Sequence, residues 1–223
     1  MSARYVELLP ALAAAFLLSG CAAGPARAPE PERPVARADS RAVRNADGDR
    51  ANVPEGALAA HTAAIDAMRR GDDAAALAEL ERLIASYPEL PGPYVNLAIV
   101  HRRAGRDDDA LASLERALAL DPGHPEANNE LGILLRERGE FDAAEAAYRR
   151  ALERRPDYAL ALYNLGVLLD VYLRRPADAL ECYEAYQAAL PEPDERVARW
   201  IVDLRRRIGA DDAAARVARG DRG

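Results

Sequence analysis

Two cysteines, three histidines and one run of aspartates are the side chains of this 223-residue sequence that could carry out chemistry if the fold gathered them. Cys21 and Cys182 are too few to build a disulfide framework. His61, His101 and His124 stand singly, without the short spacings that let side chains share a metal ion. Asp107, Asp108 and Asp109 precede an apolar-periodic stretch, where acids favour the positive end of a helix; that is a structural use. No serine sits in a glycine-flanked elbow, and neither a phosphate-cradling glycine loop nor an HExxH pattern occurs. The residues therefore predict a protein that is not an enzyme and takes no cofactor or metal, with Cys182 as a small packing residue.

The elements that would position any site follow from a different pattern. Pro88, Pro122, Pro156 and Pro191 lie 34, 34 and 35 residues apart, and other types repeat in step with them. Twelve residues before each proline stands Ala76, Ala110, Ala144 or Ala179; eight before stands Leu80, Leu114, Tyr148 or Tyr183. A further small residue precedes these as Ala64, Ala98, Gly132 and Gly166. A fixed period of this length marks a stack of like units. Each unit (57–90, 91–124, 125–158 and 159–193) reads as a helix, a turn at Gly71, Gly105 or Gly139, a second helix led by acids, and a proline stop. Small residues let the paired helices approach, and the bulky residue fills the space beside them.

The fourth unit departs from the others. It holds one extra residue within 170–176, lacks the turn glycine, and has Tyr186 where the others have Leu83, Ala117 or Ala151. Beyond it, Asp194 is a suitable N-cap, and Val197, Trp200, Ile201, Leu204 and Ile208 form a helical stripe that would seal the stack. Trp200 is expected to pack against the last unit. Residues 209–223 have no apolar stripe and are expected to form a disordered tail.

With Leu131-Gly132, Gly139, Ala144, Tyr148, Ala151 and Pro156 in one unit and Tyr163-Asn164-Leu165-Gly166 in the next, residues 57–193 resemble the tetratricopeptide repeat (TPR) family. The resemblance implies an all-α fold: a solenoid of about four helix-turn-helix repeats in a domain spanning 57–208, closed by a capping helix. It also implies a concave groove lined by the first helices. Its lining would include Asn96, Ile99, Arg102 and Arg103; Asn129, Ile133, Arg136 and Glu137; and Tyr163, Asn164, Val167 and Asp170. In that groove Asn96, Asn129 and Asn164 would grip a peptide main chain. Ile99, Ile133 and Val167 would form an apolar floor, while Arg102, Arg103 and Arg136 would hold carboxylates. Asn164 and Arg136 are expected to face solvent.

The N-terminus adds a second theme. Arg4 precedes an apolar run from Leu8 to Leu18, about half the length needed to span a bilayer. Leu18-Ser19-Gly20-Cys21 then looks like a bacterial lipobox. That resemblance implies a signal peptide at 1–20, cleavage before Cys21, and acyl chains on Cys21 that would anchor the protein firmly. Ala22 in place of an aspartate leans, by the same analogy, towards the outer membrane facing the periplasm. Residues 21–56 hold Pro25, Pro29, Pro31, Pro34 and Pro54 with hardly any large apolar side chain, and read as a disordered tether.

Charge narrows the partner class. Residues 57–193 hold 15 Arg against 24 Asp and Glu, and the chain contains no lysine. A negative body argues against nucleic acid, which needs clustered positive charge. The expected function is a lipid-anchored envelope adaptor that binds a protein or peptide segment in its groove and supports a larger complex, in the manner of a pilotin or a TonB/Tol-type accessory. The other class in play is a peptidoglycan-linked structural or regulatory protein of cell-wall metabolism.

Overall fold

The computed structural model describes residues 55–218, with side chains for 56–211. The lipobox, Cys21 and the tether up to Pro54 lie outside these residues. Nine α-helices and no strand occur among the described residues: α1 (Glu55–Arg70), α2 (Asp73–Ser86), α3 (Pro91–Arg103), α4 (Asp107–Leu120), α5 (Pro125–Glu137), α6 (Phe141–Arg154), α7 (Ala159–Val167), α8 (Pro176–Ala188) and α9 (Glu195–Ala218). A π turn, Leu168–Tyr172, prolongs α7. Helices pair as α1/α2, α3/α4, α5/α6 and α7/α8, each pair stacking on the next, with α9 against α8. Four repeats and a final helix match the expected TPR-type solenoid, although α1 starts at Glu55, inside the expected tether.

Turn chemistry closes each pair. Gly71, Gly105 and Gly139 have φ of 73°, 70° and 82°, the left-handed region that a Cβ disfavours. This lets Asp72, Arg106 and Glu140 donate their backbone N–H to the carbonyls of Ala67, His101 and Leu135 at 2.9–3.0 Å, five residues back each time. Between repeats, the first turn of the incoming helix ties down the loop. Tyr94 Oη donates to the Pro88 carbonyl at 3.2 Å, and Asn128 Nδ2 donates to the Pro122 carbonyl at 2.9 Å.

In the fourth repeat Arg175 reaches back six residues, to the Leu169 carbonyl at 2.8 Å, and Leu173 bonds Leu168 across the π turn. The extra residue is thus absorbed locally, and α8 keeps its register on α7. Arg174 takes the place of the turn glycine with φ 53°. Left-handed backbone costs a residue with Cβ about 1–2 kcal/mol, while glycine adds about 0.5–1 kcal/mol of unfolded-chain entropy. Arg174→Gly should therefore stabilise the domain by up to about 1 kcal/mol. A denaturant midpoint that falls instead would show that the arginine side chain contributes more than the strain costs.

Within each pair the small and bulky residues meet. A Cβ on Gly132 would lie 2.5 Å from the Tyr148 ring, and one on Gly166 would lie 2.6 Å from Tyr183. Ala64 with Leu80 and Ala98 with Leu114 occupy the same positions in the first two repeats, all four buried. Tyrosine is matched by glycine and leucine by alanine, so the summed volume at this contact stays nearly constant.

Asp194 caps α9, its Oδ1 accepting from Arg196 N at 2.9 Å and Val197 N at 3.2 Å. The departure at Tyr186 is explained here: its hydroxyl donates to Asp194 Oδ2 at 3.2 Å. Val197, Ile201 and Leu204 enter one core cluster with Tyr163, Val167 and Tyr183. Trp200 stacks on Tyr183 at 5.6 Å and Tyr163 at 6.1 Å, as a sealing residue should. The helix does not end at Ile208. It runs to Ala218, against the expectation of a disordered tail from residue 209. Gly209–Ala218 holds five alanines, and a helix already nucleated on a packed base propagates cheaply through such residues. Cys182 is half-buried, and burial pushes its thiol up to about 11, which suits a packing residue.

Candidate protein-binding groove

The stack curves. First helices of successive repeats touch one another, α1 with α3, α3 with α5 and α5 with α7, whereas the second helices make no comparable contacts. First helices therefore line the inner side, which is where the proposed lining residues sit. Ile99 and Ile133 are half-buried there, joined by Ile65, one period earlier. All three pack partly against the cores of their repeats and leave the rest of the side chain at the surface.

The polar side chains behave differently from expectation. Asn164 Nδ2 donates to Asn129 Oδ1 at 2.9 Å, and Asn129 is only 1% exposed. Asn96 Nδ2 lies 2.8 Å from His61 Nε2. These amides join neighbouring first helices, so Asn129 is not available to a peptide main chain. Arg102 binds Glu130 at 3.1 Å and Glu137 at 3.3 Å within its own domain. Arg103 donates to the Met68 carbonyl at 3.2 Å and faces Asp73 at 3.6 Å.

Arg136 is 8% exposed, so the expectation that it faces solvent is wrong. Its Nη1 contacts Tyr172 Oη at 3.5 Å, with the guanidinium 5.8 Å from that ring. Tyr163 and Val167 are 4% exposed, members of the last core cluster rather than groove lining. The reason is α9: a helix stacked on the fourth repeat covers the face on which both residues stand. Asp170, expected in the groove, instead pairs with Arg207 of α9 at 2.6 Å.

A polar ladder thus links every first helix to the next. Sequence reasoning read each rung as a ligand-binding group because it took the repeats one at a time. The missed signal is complementary polar types about 35 residues apart: His61 with Asn96, Arg102 with Glu137, Asn129 with Asn164. Among the described residues no group of His, Cys, Asp or Glu could hold a metal ion, and no helix is long and apolar enough to cross a membrane.

The ladder carries a pH dependence. His61 is lowered from the ordinary 6.5 by burial, since its neutral ring accepts the Asn96 bond and its charged form would be desolvated. His124, whose Nδ1 caps α5 by accepting from Ala127 N, is lowered mainly by burial as well. A base with a depressed folded pKa contributes stability above its unfolded value, and that stability is lost as pH falls below 6.5. Unfolding midpoints should be higher at pH 7.5 than at pH 5.5, and His61→Gln should flatten the difference. Identical slopes in wild type and variant would remove His61 from this account.

Comparison with known proteins agrees with this architecture. Family models described as tetratricopeptide repeat match residues 63–89, 89–157 and 129–192. No curated protein matches. Among solved structures, pilF of Pseudomonas aeruginosa superposes with a TM-score of 0.62 over 76% of this chain and 78% of its own, at 22% identity, a likeness of fold. A crystal structure of MamA gives 0.55 at 25% identity, over 69% of this chain and 88% of that one. An O-GlcNAc transferase mutant of Thermobaculum terrenum gives 0.54 at 28% identity, but only 26% of that chain is covered.

Proposed function

Because the chain is a tetratricopeptide-repeat protein, we propose that it is a protein-interaction adaptor, held at the bacterial envelope by lipid on Cys21, that takes a partner segment on the inner face of its repeats. The observation that carries the binding part is the half-buried floor of Ile65, Ile99 and Ile133, kept in line by the ladder between first helices. A rigid row of apolar side chains with its polar neighbours already satisfied favours an apolar partner segment over one selected by carboxylates. Anchoring rests on Leu18-Ser19-Gly20-Cys21 and on the proline-rich residues that follow, which would hold the repeats tens of Å from a membrane at about 3 Å per residue. On this reading the protein faces the periplasm from the outer membrane and supports assembly of a larger complex, of pilotin or TonB/Tol-accessory type.

Two measurements test it. Metabolic labelling with a fatty-acid probe should mark the wild type and not Cys21→Ser; an unlabelled wild type ends the lipid anchor. Pull-down of the tagged, lipidated chain should recover one stoichiometric protein, lost in Ile99→Asn/Ile133→Asn with helicity retained. Sedimentation with purified cell wall, in place of a protein partner, would favour a peptidoglycan-linked role instead.

A further inference from the structure

The last helix stands where the first helix of a fifth repeat would stand. Val197 and Leu204 are fully buried, 70 residues after Ala127 and Leu134, which are fully buried on α5. Asp170 pairs with Arg207, 70 residues after Glu137, as Arg102 pairs with Glu137 and Arg136 meets Tyr172. Tyr163 meets Trp200 where Asn129 meets Asn164 and His61 meets Asn96. Counted the same way, Val202 holds the place of Gly132, which lies against the tyrosine of its own second helix. That place is buried in the four earlier repeats, at Ala64, Ala98, Gly132 and Gly166, but Val202 is 67% exposed. No second helix follows α9 among the described residues.

The sequence nevertheless carries a second half for that repeat. Gly209 falls 70 residues after the turn glycine Gly139, and Asp212 falls 70 after Asp142, the acid in the first turn of α6. Ala214 and Ala218 follow Ala144 and Tyr148 at the same interval. Bulk is exchanged across the contact: valine replaces the small residue of the first helix, and alanine replaces the bulky residue of the second. The pair is matched in the same sense as glycine with tyrosine. Yet the chain does not turn. Gly71, Gly105 and Gly139 have positive φ, whereas Gly209 lies inside α9, which continues as one helix to Ala218. On one helix Val202 and Ala218 stand about 24 Å apart, so α9 does not cover its own Val202.

We propose that the protein pairs with a second copy of itself through α9, the 210–218 segment of each copy standing in for the missing second helix of the other's fifth repeat. Two α9 helices laid antiparallel bring Ala218 of each copy to Val202 of the other, the relation that first and second helices keep within a repeat. The midpoint between residues 202 and 218 is Ala210, so Gly209 and Ala210 lie at the crossing. Both are exposed, and a Cβ on Gly209 would meet nothing within 4 Å, so the chain's own fold leaves this crossing open to close approach. Exchange of an identical element between protomers reuses contacts that the repeat already makes.

The test uses the full chain in a Cys21→Ser/Cys182→Ser background, which removes the native thiols. Sedimentation should show a monomer–dimer equilibrium. Val202→Asp should raise its dissociation constant at least about tenfold with helicity unchanged, because the pairing would bury a charge. On mild oxidation, Val202→Cys mixed with Ala218→Cys should give a disulfide-linked dimer. Either variant alone should give far less, since its two thiols would lie about 24 Å apart in the pair. A chain that stays monomeric at every concentration, a Val202→Cys chain that links to itself as well as the mixture does, or a Val202→Asp chain that dimerises like the parent would each overturn the proposal. The double variant Val202→Cys/Ala218→Cys tests the other way of covering Val202. Cross-linked dimers support exchange, whereas an internally bonded monomer would mean that the chain turns at Gly209 to complete its own repeat, and would overturn it.

Discussion

Gly132→Ala should destabilise the domain by up to about 2 kcal/mol net, although alanine is the better helix former. The new Cβ would fall 2.5, 2.6 and 2.9 Å from three carbons of the Tyr148 ring. That ring is fully buried between α5 and α6 and has no room to swing away. Relief requires the helices to part, the overpacking cost of about 1–3 kcal/mol and occasionally more. The helix-propensity gain of about 1 kcal/mol offsets only part of it. Adding Tyr148→Leu recreates the pairing that Ala64 and Leu80 make in the first repeat, and the double variant should recover much of the loss. Urea denaturation of the three variants settles it. A single variant as stable as wild type, or a double variant no better than Tyr148→Leu alone, would mean that the contact is not the tight one described.

Leu204→Ala should cost about 2–5 kcal/mol, the range for emptying a fully buried leucine site. The loss should also be local. Each repeat contacts only its neighbours, so α9 and the fourth repeat should melt before the rest. Trp200, the sole tryptophan, lies in that cluster, so its fluorescence should change at lower denaturant than the helical signal does. Val202→Ala, two residues away on the exposed face, should stay within about 0.5 kcal/mol of wild type. Coincident fluorescence and helix transitions in Leu204→Ala would show that the stack unfolds as one unit and that α9 is no separable cap.

Much of the fold is legible in the sequence because it is local and repeated. The glycine at each turn needs a positive φ, the proline after each second helix cannot continue it, and small residues recur where helices cross. Each constraint acts within one helix pair, so copies in register state it repeatedly: the proline and the small residue four times, the turn glycine three. The extra residue of the fourth repeat was visible as a count. That it would be absorbed by a π turn, with Arg174 in left-handed backbone, was not, since nothing in the residue types prefers that over a longer loop. The helical extension to Ala218 is not legible for a related reason: alanine with scattered charged residues and no apolar stripe fits a frayed tail or a helix growing from a packed base equally well.

The inner face divides along the same line. By itself the sequence determined the repeat, its helices, the glycine–tyrosine and alanine–leucine matching, and the row of apolar residues on the first helices, because all of these depend on periodicity within a unit. Only the tertiary structure decided which polar residues remain open to a partner. Asn129, Arg136 and Tyr163 look like groove residues when each repeat is read alone. Stacking sets Asn164 against Asn129, Tyr172 against Arg136, and α9 over Tyr163. Once a polar group meets its complement one repeat away it is desolvated and satisfied, and the free energy that would have bound a ligand holds the helices in register instead.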